Sequence, residues 1–258
     1  MRDIHISIVS HNQFNLVQKL LFDLEMQGYK DRIQVTITIN ISEDISTNFE
    51  NISYPIHMIY NNHCKGFSEN HNAAFNQTAV FKESNYFLVV NPDVQLHENV
   101  ITLLINTLDT NINIGLVAPT VYGIDKTLED NARKLPTPSR IIAKLFGKKG
   151  IWQVKECNQP DWVAGMFMAF RSSVFKKIGG FDENYFLYYE DVEICSRIWL
   201  EGYSLQVVEN ASIVHDAQRT SRRDFRYLRL HILSMLRFFS SDTYHKIKTF
   251  HQRRIKST

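Results

Sequence analysis

Three carboxylates stand close together in the sequence, directly behind a run of aromatic residues. Four of the five residues at 185–189 are aromatic, and Glu190, Asp191 and Glu193 follow them. Carboxylates beside aromatic side chains tend to have raised pKa values, which a general base working near neutral pH requires. The alternative is an ordinary helix N-terminus, where acids are favoured by capping and by the helix dipole. That alternative explains the acids but not the aromatic residues in front of them.

A second candidate site is Asn91-Pro92-Asp93, which follows a continuous apolar run of strand length at 86–90. A carboxylate at a strand end can bind Mg²⁺ or Mn²⁺, which favour one or two carboxylates together with substrate phosphates. The same three residues are also common in turns. His215 allows two similar interpretations, since a histidine at a strand end either binds a metal or is hydrogen-bonded near the surface.

The segment Lys65-Gly66-Phe67, with Asn70 and Asn72 close behind it, is a third candidate region. A glycine at a strand-to-helix turn lets the backbone approach a ligand, and a helix N-terminus attracts phosphate. The segment matches neither a Walker loop nor a GxGxxG motif. By itself it indicates only a loop.

Alternating strands and helices are predicted to position these residues. The apolar periodicity predicts strands at 4–10, 33–39, 56–60, 86–90 and 115–119, and helices at 14–24, 70–81 and 99–107. This alternation is typical of a parallel α/β sheet covered by helices on both faces. Such sheets bind ligands at the carboxyl ends of their strands, so the polar clusters at 10–12 and 91–93 should face one crevice.

The second half of the chain is less regular. Residues 122–161 contain three prolines and the basic pair Lys148-Lys149, and they predict a long, partly mobile excursion. Beyond it we predict an apolar segment at 162–170, helices at 173–178 and 191–201, a strand at 205–208 and a final helix at 225–239.

Composition excludes several classes of protein. The chain has 258 residues, of which 44% are hydrophobic and 22% charged, which is a globular composition with enough apolar residues for a real core. The cysteines Cys64, Cys157 and Cys195 form no CxxC pair, which argues against a disulfide scaffold or a cysteine-rich zinc site and fits a reducing compartment. We expect no secretory signal, and no window approaches the roughly 20 apolar residues of a membrane span.

The net charge of +2 conceals an asymmetry between the body of the chain and its end. From Arg219 onward there are eleven Lys and Arg against two Asp and Glu, a net +9, whereas the preceding residues carry 18 against 25, a net −7. The apolar residues that share one predicted helical face in this tail are Phe225, Leu228, Ile232, Met235, Leu236 and Phe239. We expect this face to pack on the core, the alternative being a basic amphipathic helix on an anionic membrane. Nucleic acid is not an expected partner, because no RNA- or DNA-recognition motif accompanies the charge.

Taken in order, these pieces resemble a family 2 inverting glycosyltransferase of the GT-A fold, and most closely the bacterial rhamnosyltransferases of polysaccharide assembly. The motifs that carry the resemblance in the family's order and spacing are Gly165-Met166-Phe167-Met168, Gly179-Gly180-Phe181-Asp182-Glu183, residues 186–193 and Gly202-Tyr203. The segment at 91–93 resembles the subgroup's version of the DxD metal motif. The resemblance implies a GT-A domain at 1–218, with a nucleotide-sugar half at 1–121 and an acceptor and catalytic half at 122–218, and a basic helical tail at 219–258.

The resemblance also implies a role for each candidate residue. Asp191 is the expected general base that deprotonates the acceptor hydroxyl, and Glu190 positions neighbouring groups. Asp93 and His215 are expected to bind the Mg²⁺ or Mn²⁺ ion that bridges the donor diphosphate. The residues expected on the donor side are Ser10, Asn12, Asn40, Gly66, Asn72 and Asn91, and those expected on the acceptor side are Trp162 and Gly165.

Two departures from the family's pattern bear on this interpretation. Ile39 stands where the family often has an Asp at the end of the second strand, and the metal motif begins with Asn91 instead of Asp. Asn40 or the backbone therefore has to replace the contact that the Asp side chain makes to the base or ribose of the donor. Because Asn91 leaves fewer negative charges for the cation, metal binding has to depend more on the substrate.

The reaction implied by the resemblance is transfer of a sugar, L-rhamnose from dTDP-L-rhamnose, to a glycan or lipid-diphosphate-linked saccharide in cell-surface polysaccharide synthesis. The expected location is the cytoplasm, with peripheral contact to the inner face of the bacterial membrane through the basic tail. The alternatives are a UDP-hexose donor on the same fold, a non-catalytic nucleotide- or glycan-binding module, and a basic membrane or nucleic-acid adaptor.

Overall fold

The first half of the chain alternates strands with helices, as the sequence predicts. The computed structural model describes residues 3–45, 49–77, 84–145, 159–216 and 225–256. The elements of this half are β1 (Ile4–Ser10), α1 (Phe14–Glu25), β2 (Ile33–Ile39), β3 (Ile56–Tyr60), α2 (Phe67–Phe75), β4 (Tyr86–Val90), β5 (Val94–Leu96), α3 (Val100–Thr110) and β6 (Ile114–Gly123). The helix predicted at 70–81 instead begins at Phe67, directly after Gly66, and ends at Phe75.

The second half supplies shorter strands and most of the remaining helices. Its elements are β7 (Ala132–Arg133), α4 (Pro138–Leu145), β8 (Trp162–Val163), β9 (Phe167–Arg171), α5 (Ser172–Lys177), α6 (Glu190–Leu200), β10 (Ser204–His215), α7 (Phe225–Ser240) and α8 (Asp242–Lys256). The strand predicted at 205–208 continues to His215 through a register shift between Val208 and Ser212, which breaks the apolar alternation. Lys148-Lys149 and Cys157 lie outside the described residues.

Eight strands form one mainly parallel sheet in the order β3-β2-β1-β4-β9-β6-β10-β5. Strand β1 pairs in parallel with both β2 and β4, while β9 and β5 run antiparallel to their neighbours. The predicted α/β class, with a mostly parallel sheet flanked by helices, is confirmed. Because β1, β2 and β4 run in the same direction, their carboxyl ends meet at one edge of the sheet.

Helices cover both faces of this sheet. Successive residues of β4 alternate between two apolar cores, with Leu88 and Val90 in one and Phe87 and Val89 in the other. The first core is closed by α1 and α3 and the second by α5, α6 and the C-terminal helices. The second core fixes the position from which α6 begins.

The C-terminal tail forms two helices, so the prediction of a single final helix is wrong. Helix α8 is strongly polar and shows its apolar spacing only through a few residues such as Tyr244 and Ile247, which are buried in the second core. The predicted packing of α7 is also wrong in part, because Leu228 and Leu236 are exposed while Phe238 is buried. None of the helices in the described part of the chain combines the length and hydropathy of a membrane-spanning segment.

Candidate active site

The acidic pair opens helix α6 after two residues in a strained backbone conformation. Tyr188 and Tyr189 have φ angles of 70° and 67°, in the left-handed region that costs a non-glycine residue about 1–2 kcal/mol. Glu190 and Asp191 then fall in the first turn of α6, where the helix dipole favours carboxylates. Strain of this kind persists where the surrounding structure imposes it, and it clusters at functional sites.

The Asp191 carboxylate is held by two backbone N–H groups from different elements. Its Oδ1 accepts a hydrogen bond from Val192 N at 2.8 Å, and its Oδ2 accepts one from Gly165 N at 3.2 Å. Burial raises the pKa of Asp191, although these two N–H groups and the nearby Arg133 guanidinium oppose the rise. A fixed carboxylate with a raised pKa is suited to general-base work near neutral pH.

The other two carboxylates of the cluster have different surroundings. Glu190 is 5% exposed, its Oε2 has no partner within the described structure, and burial together with the Asp191 charge raises its pKa well above the ordinary value. Glu193 instead forms a two-pronged ion pair with Arg197, at 2.7–2.9 Å, and accepts a hydrogen bond from the Thr243 hydroxyl. Glu193 therefore ties α6 to α8, and only Glu190 and Asp191 remain available for chemistry.

A cavity of about 550 Å³ opens beside Asp191. It is lined by Asp130, Arg133, Pro136, Ile141, Trp162, Tyr188, Tyr189, Glu190, Asp191, Val192, His231 and Met235. Strands β7 and β8 pair so that Arg133 lies opposite Trp162, and the guanidinium is 4.9 Å from the centre of the indole ring. Trp162 thus lies on the cavity wall, and Gly165 donates a hydrogen bond to Asp191 through its backbone N–H group. Both residues predicted on the acceptor side are beside Asp191.

Amide side chains organise the loop at the carboxyl ends of β2 and β3. Asn40 Oδ1 accepts hydrogen bonds from Lys65 N and Asn61 Nδ2, each at 2.9 Å, and Asn40 Nδ2 donates to Lys65 O at 3.0 Å. Asn61 Nδ2 also donates to Asn70 Oδ1 at 2.7 Å. The role of Asn61 was not predicted, and the only sequence signal for it is the density of asparagine in this segment.

Gly66 joins this loop (residues 61–66, the predicted donor-side loop) to the turn that precedes the acidic pair. Phe67 N donates to Phe186 O at 2.8 Å, and a Cβ at Gly66 would lie 2.7 Å from that oxygen. Only glycine permits this contact between two backbones. The structure therefore places the two regions next to each other, although 120 positions separate them in the sequence.

Two of the predicted donor-side residues are placed at the end of β1. Ser10 is fully buried, and its Oγ accepts a hydrogen bond from Gln13 N at 3.3 Å. Its side chain therefore stabilises the start of α1 and is not presented to a nucleoside. Asn12, with a φ of 60°, is exposed and remains available to a ligand.

Asn72 does not join the donor-side loop, contrary to the prediction. Its Oδ1 accepts from Phe181 N at 2.9 Å, and its Nδ2 donates to Phe181 O at 2.9 Å and to Glu183 Oε1 at 3.0 Å. Each of its polar atoms is thus used in holding α2 against the segment at 180–183. The structure assigns this amide a structural contact.

Asp93 and His215 are brought together by the pairing of β5 with β10. His215 lies opposite Val94 in this pairing, and His215 Nε2 is 3.4 Å from Asp93 Oδ2. Glu129, which was not predicted, lies on the other side of the imidazole, with Oε2 3.0 Å from His215 Nδ1. Burial alone would lower the pKa of His215, but the hydrogen bonds and charges of the two carboxylates together raise it to about 9.

An imidazole must be neutral to bind a metal ion, so a divalent cation at Asp93 would have to displace the proton that the raised pKa keeps on His215. Asp93 Oδ1 is buried without a hydrogen-bond partner in the described structure, and Mg²⁺ and Mn²⁺ are commonly bound by one or two carboxylates plus phosphates. No group of three or more histidine, cysteine, aspartate or glutamate side chains forms a complete metal site among the residues that the structure describes. Asn91 precedes the site, with its backbone N–H bonded to Met166 O at 2.9 Å.

Comparisons with known proteins relate the chain to enzymes that transfer sugars. Residues 154–220 match a family model described as the N-terminal domain of galactosyltransferase. The chain is 28% identical over 254 residues to the rhamnosyltransferase WbbL of Escherichia coli, with 92% of each chain covered. It is also 28% identical over 152 residues to the N-acetylglucosaminyl-diphospho-decaprenol L-rhamnosyltransferase of Mycobacterium tuberculosis, covering 54% of this chain and half of that protein's length.

The fold is shared with a solved mannosyltransferase from Pyrobaculum calidifontis in complex with GDP-Man and Mn²⁺. The TM-score is 0.61 at 14% sequence identity, and the match covers 91% of this chain and 64% of that one. At this identity the likeness shows the fold, including the GT-A arrangement of the sheet.

Proposed function

We propose that this chain, a GT-A-fold glycosyltransferase similar to bacterial rhamnosyltransferases, transfers L-rhamnose from dTDP-L-rhamnose to a glycan or lipid-linked saccharide with inversion. The observation that carries the proposal is Asp191, whose carboxylate is fixed by two backbone N–H groups at the edge of the 550 Å³ cavity. The donor-side loop reaches the same turn through the contact of Gly66 with Phe186. In this proposal the donor and the acceptor meet at this turn, with Asp191 beside them.

In the proposed reaction, Asp191 takes the proton of the acceptor hydroxyl as that oxygen attacks the anomeric carbon of the donor sugar. The bond from this carbon to the diphosphate oxygen breaks on the opposite face, so the nucleoside diphosphate leaves and the configuration inverts. The raised pKa of Asp191 makes its carboxylate a better proton acceptor than an exposed aspartate. Glu190, whose raised pKa favours its protonated form, supports the turn without adding a second charge.

We propose that Asp93 and His215 hold Mg²⁺ or Mn²⁺ at the donor diphosphate. The ion would supply charge neutralisation for the leaving diphosphate. Glu129 holds the imidazole from its Nδ1 side and thereby directs Nε2 toward Asp93. Carboxylates in this position commonly orient histidine ligands of metal ions.

The donor and acceptor are proposed from the relatives and from the cavity. Two relatives are named as rhamnosyltransferases, and the name of the mycobacterial one specifies a diphospho-decaprenol acceptor. The cavity has aromatic walls at Trp162, Tyr188 and Tyr189, which suit the apolar face of a sugar ring. We place the enzyme in the cytoplasm at the inner face of the membrane, where such a lipid-linked acceptor would be reached.

A panel of nucleotide sugars tests the donor. In the presence of Mn²⁺, dTDP-L-rhamnose is expected to bind and to be slowly hydrolysed, while UDP-glucose, UDP-galactose and UDP-N-acetylglucosamine are not. Preference for a UDP-hexose would replace the rhamnosyl assignment with the alternative donor. Binding of nucleotide sugars without hydrolysis or transfer of any of them would contradict the enzymatic proposal.

Titration with Mn²⁺ in the presence of dTDP tests the metal site, with binding followed by electron paramagnetic resonance. Asp93→Ala is expected to abolish measurable binding, and Glu129→Gln to weaken it by about 10–100-fold, as for other residues that orient a ligand. Glu209→Gln, at an exposed position of β10, is the matched control and should bind Mn²⁺ normally. Unchanged Mn²⁺ affinity in Asp93→Ala would exclude this site.

A further inference from the structure

Helix α7 carries a stripe of large apolar side chains that face solvent. Phe225, Leu228, Ile232 and Leu236, spaced at i, i+3, i+7 and i+11, are 78%, 54%, 42% and 56% exposed, and Leu233 beside them is 52% exposed. We call these five residues the α7 stripe. This spacing places them along one side of the helix. A contiguous row of this kind is uncommon on a protein that has no partner for it.

The stripe is exposed because the opposite side of α7 anchors the helix. Phe238 is fully buried against Tyr189, with ring centroids 5.7 Å apart, and Ser234 Oγ donates to Leu187 O at 2.8 Å. Met235 and Phe239, which border the stripe on its own face, also pack against the second core. The helix is therefore docked on the body of the enzyme in one orientation, which presents the stripe outward.

The charges on the two C-terminal helices are mainly positive, and Asp242 at the start of α8 is the acidic exception among their described residues. Helix α7 contains Arg226, Arg229 and Arg237 and no acidic residue, and the adjacent α8 exposes Lys246 and Lys248. An apolar face bordered by basic side chains is the pattern of helices that lie in the interface of an anionic bilayer. A protein partner would need an apolar groove lined with acids, whereas anionic lipid supplies both chemistries at once.

We propose that the α7 stripe inserts into the headgroup region of an anionic lipid bilayer and holds the enzyme on its surface. His231 and Met235 of the same helix line the cavity beside Asp191. Docking through α7 therefore brings the cavity to the level of the lipid headgroups, where the diphosphate of a lipid-linked acceptor lies. Access to a lipid-linked acceptor rests on the proposed function, but binding of α7 to the bilayer requires neither donor nor acceptor.

Sedimentation of the full-length chain with lipid vesicles tests the proposal. We expect the chain to bind vesicles of phosphatidylcholine in which about one lipid in three is phosphatidylglycerol, which is anionic. We expect little binding to vesicles of phosphatidylcholine alone. The triple variant Leu228→Gln, Ile232→Gln, Leu236→Gln is expected to bind the anionic vesicles at least about tenfold more weakly, because it removes the apolar side chains that insert. These positions are exposed, so the variant should keep the melting temperature and donor binding of the natural chain.

A second triple variant controls for general hydrophobicity. Met26→Gln, Ile112→Gln and Ile124→Gln remove three large apolar side chains that are 82%, 74% and 63% exposed elsewhere on the surface. This variant should bind anionic vesicles as the natural chain does. Equal loss of binding in both triple variants would show nonspecific adsorption and would overturn the proposal.

Two further outcomes would also overturn it. One is failure of the natural chain to bind anionic vesicles. The other is a dimer in solution that the α7 variant dissociates, because this would identify a second copy as the occupant of the stripe. Failure of the proposed function is separately visible, because a chain that binds vesicles through α7 but binds no nucleotide sugar would keep this inference and lose the other.

Discussion

At the scale of single residues, three neighbouring carboxylates acquire three different properties from their surroundings. Asp191 faces a cavity and is held by N–H groups, Glu190 is buried without a partner for Oε2, and Glu193 is neutralised by Arg197. The aromatic neighbours indicated all three carboxylates as a candidate site, and only the family resemblance gave roles to Asp191 and Glu190. The residues alone could not separate Glu193 from the other two, because the partners of a side chain depend on tertiary contacts.

The raised pKa of Glu190 has a consequence for stability. Between the ordinary carboxyl pKa and the raised one, the folded state binds more protons than the unfolded state, so the free energy of unfolding falls as pH rises. Glutamine does not titrate, so the variant Glu190→Gln lacks this fall in the free energy of unfolding. The melting temperature of the variant is expected to exceed that of the natural chain by an amount that grows from pH 5 to pH 8. Scanning calorimetry at these pH values measures it, with Glu209→Gln as the exposed control. A constant difference across pH would contradict the burial argument.

The candidate metal and donor residues show which site residues sequence reasoning recovers. Residue type and position left Asp93 and His215 open between metal binding and a structural role, and the family resemblance assigned both to one ion. The β5–β10 pairing places them 3.4 Å apart. Asn72 and Ser10 were assigned to the nucleoside, but their side chains satisfy backbone groups of the fold. A polar residue near a strand end serves either purpose, and only the positions of its neighbours decide.

At the scale of elements, one close backbone contact joins the predicted donor-side loop to the turn that precedes Glu190 and Asp191. Gly66→Ala would place a Cβ 2.7 Å from Phe186 O and 2.8 Å from its Cα, so a backbone segment has to move. We expect this variant to lose about 1–3 kcal/mol of stability and most of its transfer activity. Thermal unfolding and a transfer assay measure the two effects.

Gly28→Ala is the matched control for that variant. Its added Cβ would approach only side-chain atoms, with the Thr102 hydroxyl at 3.3 Å. It should unfold and react nearly as the natural chain does. If Gly66→Ala were equally mild, the loop and the turn would not be coupled as described.

The elements themselves were largely predictable where apolar periodicity was strong. Strands β1, β2, β3 and β4 have the predicted bounds, because each is a short alternating or apolar run that ends at polar residues. Helix α8 and the extension of β10 were missed, since one is strongly polar and the other contains a register shift. The two-residue strands β7 and β8 are too short to leave a pattern.

At the scale of the whole molecule, the basic tail belongs to the folded body. Phe238, Tyr244 and Ile247 are at most 4% exposed within the second core, and Thr243 bonds to Glu193 of α6. A chain ending at residue 218 is therefore expected to expose this core and to unfold at least 10 °C lower or aggregate, as loss of several buried side chains costs several kcal/mol. Light scattering and circular dichroism measure this. A soluble 1–218 fragment with a cooperative transition near that of the full chain would show that the tail is independent.

The central claim is that Asp191 is the base for glycosyl transfer, and the variant Asp191→Asn tests it most directly. Asparagine keeps an oxygen that can accept one of the two backbone hydrogen bonds, so the turn is preserved while the proton acceptor is lost. Transfer from dTDP-L-rhamnose should fall by about 10²–10⁴-fold, with the affinity for the donor changed by less than about threefold, within the usual context dependence of a single substitution. Near-normal turnover in Asp191→Asn, with donor binding intact, would contradict the assignment.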